Sequence, residues 1–582
     1  MKFIALAWML SAGLAVAEEP LKPLRFSTGH MDASVAPGDD FYQYACGTWL
    51  KTNVIPPDQR NWSPSAHLME MNLVTLWRLC ETSASKSERT RVEQLVGDFF
   101  TAATDEAKLE ELKFQPIAKV LGEIAALKSK DEAVAMIARL HREGLGVFFG
   151  WYVGADERQS DVYALHVVQG GLSLPERDYY LEKDFAKERE AFVAHVAKML
   201  LLAGGDEKQT KLDAAELLRV ETRLAKVSKA AEDLNDSEAN YHKVSRDELA
   251  KTAPEFAWPL WWDGIGVKPE HCLVGQPEYL AAMAKVFREE PLSVIQLYLR
   301  WNVLHEAAPK LHHAVDAENF AFFGKVLQGQ KEQRARWKRG IAITDHMLGD
   351  ALGQLYAADS FPPEAKVRME AMVANIKAVF RDHIAHAEWM TPGTREKAMA
   401  KLERFHAKLG YPSKWKDYAG LVINRDDYFG NVSRADAWEV RRELGRIGKP
   451  VDRSEWFMTA STVNAYFDQT RNEIVFPAGI LQPPFFDMSM DDAVNYGGTG
   501  ATIGHEMTHG FDSDGRKYDA DGNLNDWWTE ADAKEYERRA EIVVQQFNTL
   551  EGLPGVKVNG KLTLPENIAD LGGLVLAYEA LQ

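Results

Sequence analysis

From about residue 93 to residue 384, apolar positions recur at three- and four-residue spacing with charges between them, the period of a helix. Residues 132–142 and 212–228 carry the pattern most cleanly. Gly170-Gly171 and Pro362-Pro363 punctuate it as turns, and no fixed-period repeat or low-complexity tract interrupts it. The character changes after about Asp452. Residues 461–467 and 473–476 are rich in β-branched and aromatic side chains and flank the polar stretch 468–472, which predicts two short strands joined by a turn. Pro477-Ala478-Gly479 and Pro483-Pro484 then force an irregular loop. A helix over 499–510 with Gly510 as its terminator, a second from Glu530 to about Leu550, and a third from near Pro565 complete the predicted elements.

The first residues have a different pattern. Lys2 precedes an apolar run over 3–16, and Ala15-Val16-Ala17 offers small residues for cleavage. This predicts a signal peptide over 1–17 and export, to a bacterial periplasm or the extracellular space. The run is too short for a comfortable membrane span, so no stable membrane anchor is expected.

The 582 residues are 46% hydrophobic, enough for a large core and more than one domain. With 86 acidic and 68 basic residues the formal net charge is −18, and no polybasic run stands out, which argues against nucleic acid as a partner. The three cysteines, Cys46, Cys80 and Cys272, lack the close spacing of a structural zinc site.

Candidate chemistry centres on His505-Glu506-Met507-Thr508-His509. Residues four apart share a helix face, so both imidazoles can aim at one point and begin a zinc site. Glu506 is poised to take a proton from a metal-bound water. H-E-x-x-H is a known metalloprotease pattern. A catalytic zinc needs a third protein ligand and an open position. Glu566 is the candidate ligand, and Asp570, one helical turn on, the candidate acceptor for the other ring N–H of His505. Asp512 could serve His509 in the same way or act as a turn residue. Asp519, Asp521 and Asn523 read as a solvated turn rather than a calcium loop. Asn464 and Ala465, on the candidate edge strand, could hold the backbone of an extended peptide.

These residues resemble the neprilysin-like zinc endopeptidases of the M13 class. The resemblance rests on Pro37-Gly38-Asp39-Asp40-Phe41-Tyr42, Ala45-Cys46-Gly47-Thr48-Trp49-Leu50, Leu172-Ser173-Leu174-Pro175-Glu176-Arg177-Asp178-Tyr179-Tyr180, Asn464-Ala465-Tyr466-Phe467 and the stretches around His505 and Glu566. It implies a mainly α fold, with a large helical domain over residues 18–450 enclosing the substrate. Residues 451–582 would then form a thermolysin-like zinc catalytic domain with a short β-sheet. It also implies one Zn2+ per chain on His505, His509 and Glu566, Glu506 as base, Asp570 as a catalytic orienter, and Asn464 and Ala465 as substrate contacts. Ile480 and Phe485 would form part of an apolar pocket on the leaving-group side, with Ala501 and Thr502 at neighbouring positions.

One departure from the family pattern matters. The family continues past the Glu566 helix with a segment that supplies a histidine and an arginine to the oxyanion and a cysteine partner for Cys46, whereas here no histidine follows His509. Such donors contribute about 3–4 kcal/mol to catalysis. The expectation is a C-terminally incomplete zinc endopeptidase acting on oligopeptides. The rival is a truncated zinc-binding pseudoenzyme or peptide-binding protein with little activity.

Overall fold

The computed structural model describes residues 21–582, so the expected signal peptide over 1–17 lies outside the described residues. Helices dominate, as the spacing predicts. The stretch expected over 132–142 is the helix Lys130–Arg142, opened by Ser129, whose hydroxyl accepts from the Glu132 N–H. That expected over 212–228 is Glu207–Val227, opened by Asp206. Among the described residues no helix is long and apolar enough to cross a membrane.

The helical stretch also contains a sheet that its period does not reveal. β1 (Phe149–Asp156), β2 (Gln159–Gln169), β3 (Lys243–Ser245) and β4 (His271–Val274) form a sheet in the order β1-β2-β4-β3. β1 and β2 pair antiparallel as a hairpin. The strands escape a periodicity reading because two are very short and β1 does not alternate cleanly between buried and exposed positions.

Two hydrophobic cores organise the chain. One draws on residues between Ile117 and Phe322, including Trp258, Trp261 and Trp301, all fully buried. The other joins residues from Leu68 to Leu109 with residues from Ile341 to Leu576. Packing therefore groups the chain differently from the linear split at 450: helices such as Pro64–Ser85 and Arg336–Ser360 pack with the H-E-x-x-H region. Apolar faces are buried by whichever element lies against them, however distant in sequence.

The second lobe holds the sheet expected near the site. β5 (His406–Gly410), β6 (Tyr466–Asp468) and β7 (Glu473–Pro477) run in the order β5-β7-β6, with β6 at the edge. β7 is central and buried throughout, which explains its apolar Ile474-Val475-Phe476. The strand expected over 461–467 begins only at Tyr466. Before it, the Asn72 amide donates to the carbonyls of Ser461 and Gly479 at 3.3 and 3.1 Å. The predicted turn is present: Asp468 accepts from the Thr470 backbone and hydroxyl, and Asn472 takes φ 51°. The three predicted helices are Ala501–His509, Glu530–Thr549 and Leu564–Leu581. The first is preceded by a π-helical turn, Tyr496–Gly500. Gly510 follows the motif helix with φ −61°, so it does not end it by a left-handed cap. Its lack of a side chain instead admits the Phe405 ring, 2.4 Å from where a Cβ would stand.

Candidate active site

The motif helix Ala501–His509 and the Glu566 helix Leu564–Leu581 touch through glycine. A Cβ on Gly573 would lie 2.4 Å from the His505 backbone nitrogen, and one on Gly504 would lie 2.6 Å from the Gly573 carbonyl oxygen. A Cβ on Gly572 would lie 2.8 Å from Thr508 Oγ1. Only bare backbone allows so close an approach. The contact sets Glu566 and Asp570, one turn apart, over the exposed face of His505.

The histidine rings are each held from behind. His505 Nδ1 donates to Asp570 Oδ1 at 2.8 Å, and His509 Nδ1 donates to Asp512 Oδ2 at 2.7 Å. A carboxylate only accepts, so each Nδ1 carries a hydrogen, and in the neutral imidazole Nε2 is then the free donor atom for a metal. The two Nε2 atoms nevertheless face each other at 3.0 Å. Glu566 adds its oxygens at 3.4 Å from His505 Nε2 and 3.8 Å from His509 Nε2. Donors about 2.05 Å from a tetrahedral zinc stand about 3.3 Å apart, so this trio matches the edges of such a site. A proton shared between the two Nε2 atoms accounts for the 3.0 Å approach without metal, and the donor set of two imidazoles and one carboxylate fits zinc in its place. Of the two readings of Asp512, the structure shows both functions in one side chain: Oδ2 takes the His509 ring, while Oδ1 accepts from the backbone N–H groups of Asp514 and Gly515 at 2.9 and 2.7 Å.

Electrostatics sharpen the roles. Burial pushes the Glu506 carboxyl up to about 7, against the pull of His505 and His509. Burial works to lower His505, but Asp570, Glu566 and Glu506 outweigh it and raise the imidazole to about 10 without metal. His509 is raised in the same way, chiefly by Asp512 against burial. The His505 contact holds Glu566 below its ordinary value, against partial burial. The carboxylates that raise the imidazoles also favour a dication, which must displace the bound protons to bind.

A cavity of about 520 Å3 opens over these groups. Asn464, exposed, and Ala465, buried, lie on its wall just before the edge strand β6. Ile480 and Phe485 do not line it: Ile480 is buried in the second core, and Phe485 packs against that core. The cavity is also lined by Asn235, Met458, Tyr466, Gln469 and Leu562, which sequence reasoning did not select. Asn235 belongs to the first lobe's share of the chain, and no local pattern links it to the motif. Asp519 accepts from the backbone of Asp521 and Asn523, so this segment is a turn, as expected. Cys46, Cys80 and Cys272 are free thiols.

Comparison with known proteins places this geometry. Family models described as Peptidase family M13 match residues 37–412 and 464–582. Endothelin-converting enzyme 1 of Rattus norvegicus is 33% identical over 574 residues, covering 95% of this chain and 75% of the relative. The zinc metalloprotease ZMP1 of Mycobacterium tuberculosis, solved with an inhibitor, superposes with a TM-score of 0.93 at 38% identity, covering 96% of this chain and 86% of that one. PepO of Lactobacillus rhamnosis superposes at 0.88 with 28% identity, covering 94% and 87%. The paired histidines, their carboxylate neighbours and the helical lobe above them thus belong together: the chain is a member of peptidase family M13, the zinc metalloendopeptidases.

Proposed function

We propose that the protein hydrolyses internal bonds of oligopeptides at a single zinc site formed by His505, His509 and Glu566. The observation that carries this reading is the convergence of the two Nε2 atoms, 3.0 Å apart, with Glu566 beside them at 3.4 and 3.8 Å. Zinc bound there supplies Lewis acidity to water and to the scissile carbonyl. Glu506, buried and raised toward neutrality, accepts the proton of the attacking water and returns it to the leaving amine. Asp570 and Asp512 keep the imidazoles in the donor tautomer. Asn464 and the Ala465 backbone hold an extended peptide against the open edge of β6. For Ile480 and Phe485 the proposed role is part of the apolar pocket on the leaving-group side. Export through residues 1–17 is part of the same proposal, checked by N-terminal sequencing of the secreted protein.

A second reading, a zinc-dependent peptide binder with little turnover, is favoured by one observation. Among the described residues lining the cleft there is no lysine or arginine to stabilise an oxyanion. Chelator-sensitive cleavage of unstructured peptides, restored by zinc, decides between the two. Peptide binding without cleavage would favour the second.

A further inference from the structure

The catalytic cleft is not the only place where an open strand edge meets a cavity. β1 is the outer strand of its sheet, bonded to β2 alone. Among the described residues, residues 150–154 make no backbone–backbone hydrogen bond outside that pairing. Exposed edges in soluble proteins are normally blunted by charge or proline. β1 carries neither between Phe149 and Ala155. Instead residues 150–155 line a cavity of about 490 Å3, which they share with the charged side chains Lys416, Glu439, Arg442, Arg446 and Glu455. Six residues at about 3.4 Å each offer a ledge about 20 Å long.

This cavity adjoins the cleft. Met458 lines the cleft, and its neighbours Trp456 and Phe457 line the β1 cavity. The Phe457 ring is 67% exposed and stands 5.8 Å from that of Tyr466, a cleft residue. Thr470 and Arg471, just past the end of β6, also line the β1 cavity. A peptide paired antiparallel to β6 runs its amino-terminal half from Asn464 toward Asp468, and so toward these residues.

We propose that the free edge of β1, in the cavity that Phe457 also lines, is a second docking ledge. It would hold the amino-terminal extension of the substrate by main-chain pairing, so that longer peptides with an extended amino-terminal segment are preferred. This rests on the peptidase reading above, but it is tested by binding rather than turnover.

The probe is a fluorescein-labelled peptide of about ten residues, alternating threonine and valine with one Phe near its carboxyl end, beside a form cut to about four residues around that Phe. Both are titrated into the zinc-loaded Glu506→Gln protein. The long form is expected to bind at least about tenfold tighter. N-methylation of one distal amide should weaken it about three- to tenfold, the equivalent of one lost hydrogen bond. Phe457→Ala should erase the length preference while leaving the short peptide's Kd unchanged. Equal affinity of long, short and N-methylated peptides overturns the proposal. So does protein dimerisation that buries the β1 edge, with no peptide-length effect. The N-methyl series needs no protein variant, so a misfolded Phe457→Ala does not remove the test. If the length effect holds but the parent protein cleaves neither peptide, the peptidase reading fails and the ledge stands. If neither peptide binds, both fall.

Discussion

Gly573 lies against His505 so closely that a single added methyl would stand 2.4 Å from the histidine's backbone nitrogen. The same Cβ would be 2.7 Å from the Ala501 carbonyl oxygen. Both neighbours are backbone, which cannot swing aside. The distance between the two helices, and with it the reach of Glu566 to the imidazoles, is set by the absence of a side chain at one position.

Gly573→Ala should therefore cost about 1–3 kcal/mol of stability through overpacking. It should also weaken zinc binding, because the Glu566 helix must back away. Thermal unfolding and a zinc competition titration read the two effects. A variant with unchanged zinc affinity would show that the helix spacing does not set the site.

Glu506→Gln removes the proton acceptor but none of the three proposed ligands. Zinc content should be unchanged while turnover falls about 10²–10⁴-fold, the usual contribution of a general base. Metal analysis beside a peptide cleavage assay is sufficient. Retained hydrolysis would sink the assignment.

The two carboxylates behind the histidines should not be equivalent. Asp512 is 5% exposed, whereas the Asp570 side chain is 77% exposed, so water can replace the bond of the second but not of the first. Asp512→Asn should weaken zinc binding about 10–100-fold, and Asp570→Asn less. Competitive chelation measures both, and the opposite ranking would contradict the argument.

The turn between β1 and β2 meets the catalytic lobe: the Glu157 carbonyl accepts from the Leu524 N–H at 2.5 Å, and Ser160 N–H donates to Asn523 Oδ1 at 2.9 Å. Burial, then Asp514 and Asp156, push the Glu157 carboxyl up to about 7. Burial, then Asp512, push Asp514 up to about 6. A carboxyl whose folded value is raised favours the folded contact while protonated. That contribution is full below the unfolded value near 4.5 and declines as pH rises through about 7. Stability of the lobe contact should therefore fall between pH 5 and 7, and Glu157→Gln should flatten the fall. Denaturant unfolding at several pH values follows it. An unaltered profile in the variant would remove Glu157 as the cause.

Much of the site was legible in the chain because its spacing is local. His505 and His509 must share a face wherever a helix forms, and Glu566 and Asp570 must do so too. The turn at 468–472 and the start of the Glu566 helix at proline follow from equally local chemistry. The sheet of β1 to β4 was not legible, since β3 and β4 are very short and β2 pairs with β4 more than a hundred residues further along. Nor was the shortened β6, before which the backbone bonds to the distant Asn72.

By itself the sequence determined the helical character and the four-residue pairings of the candidate metal ligands, because these depend on a few neighbouring residues. Only the tertiary structure decided which pair faces which. It also decided that glycine at 504, 572 and 573 brings them within ligand distance, and that helices near the start of the chain share a core with the motif. The edge of β1, left open beside the cleft, belongs to the same class. Such relations arise from packing between elements distant in sequence, and no local period records them.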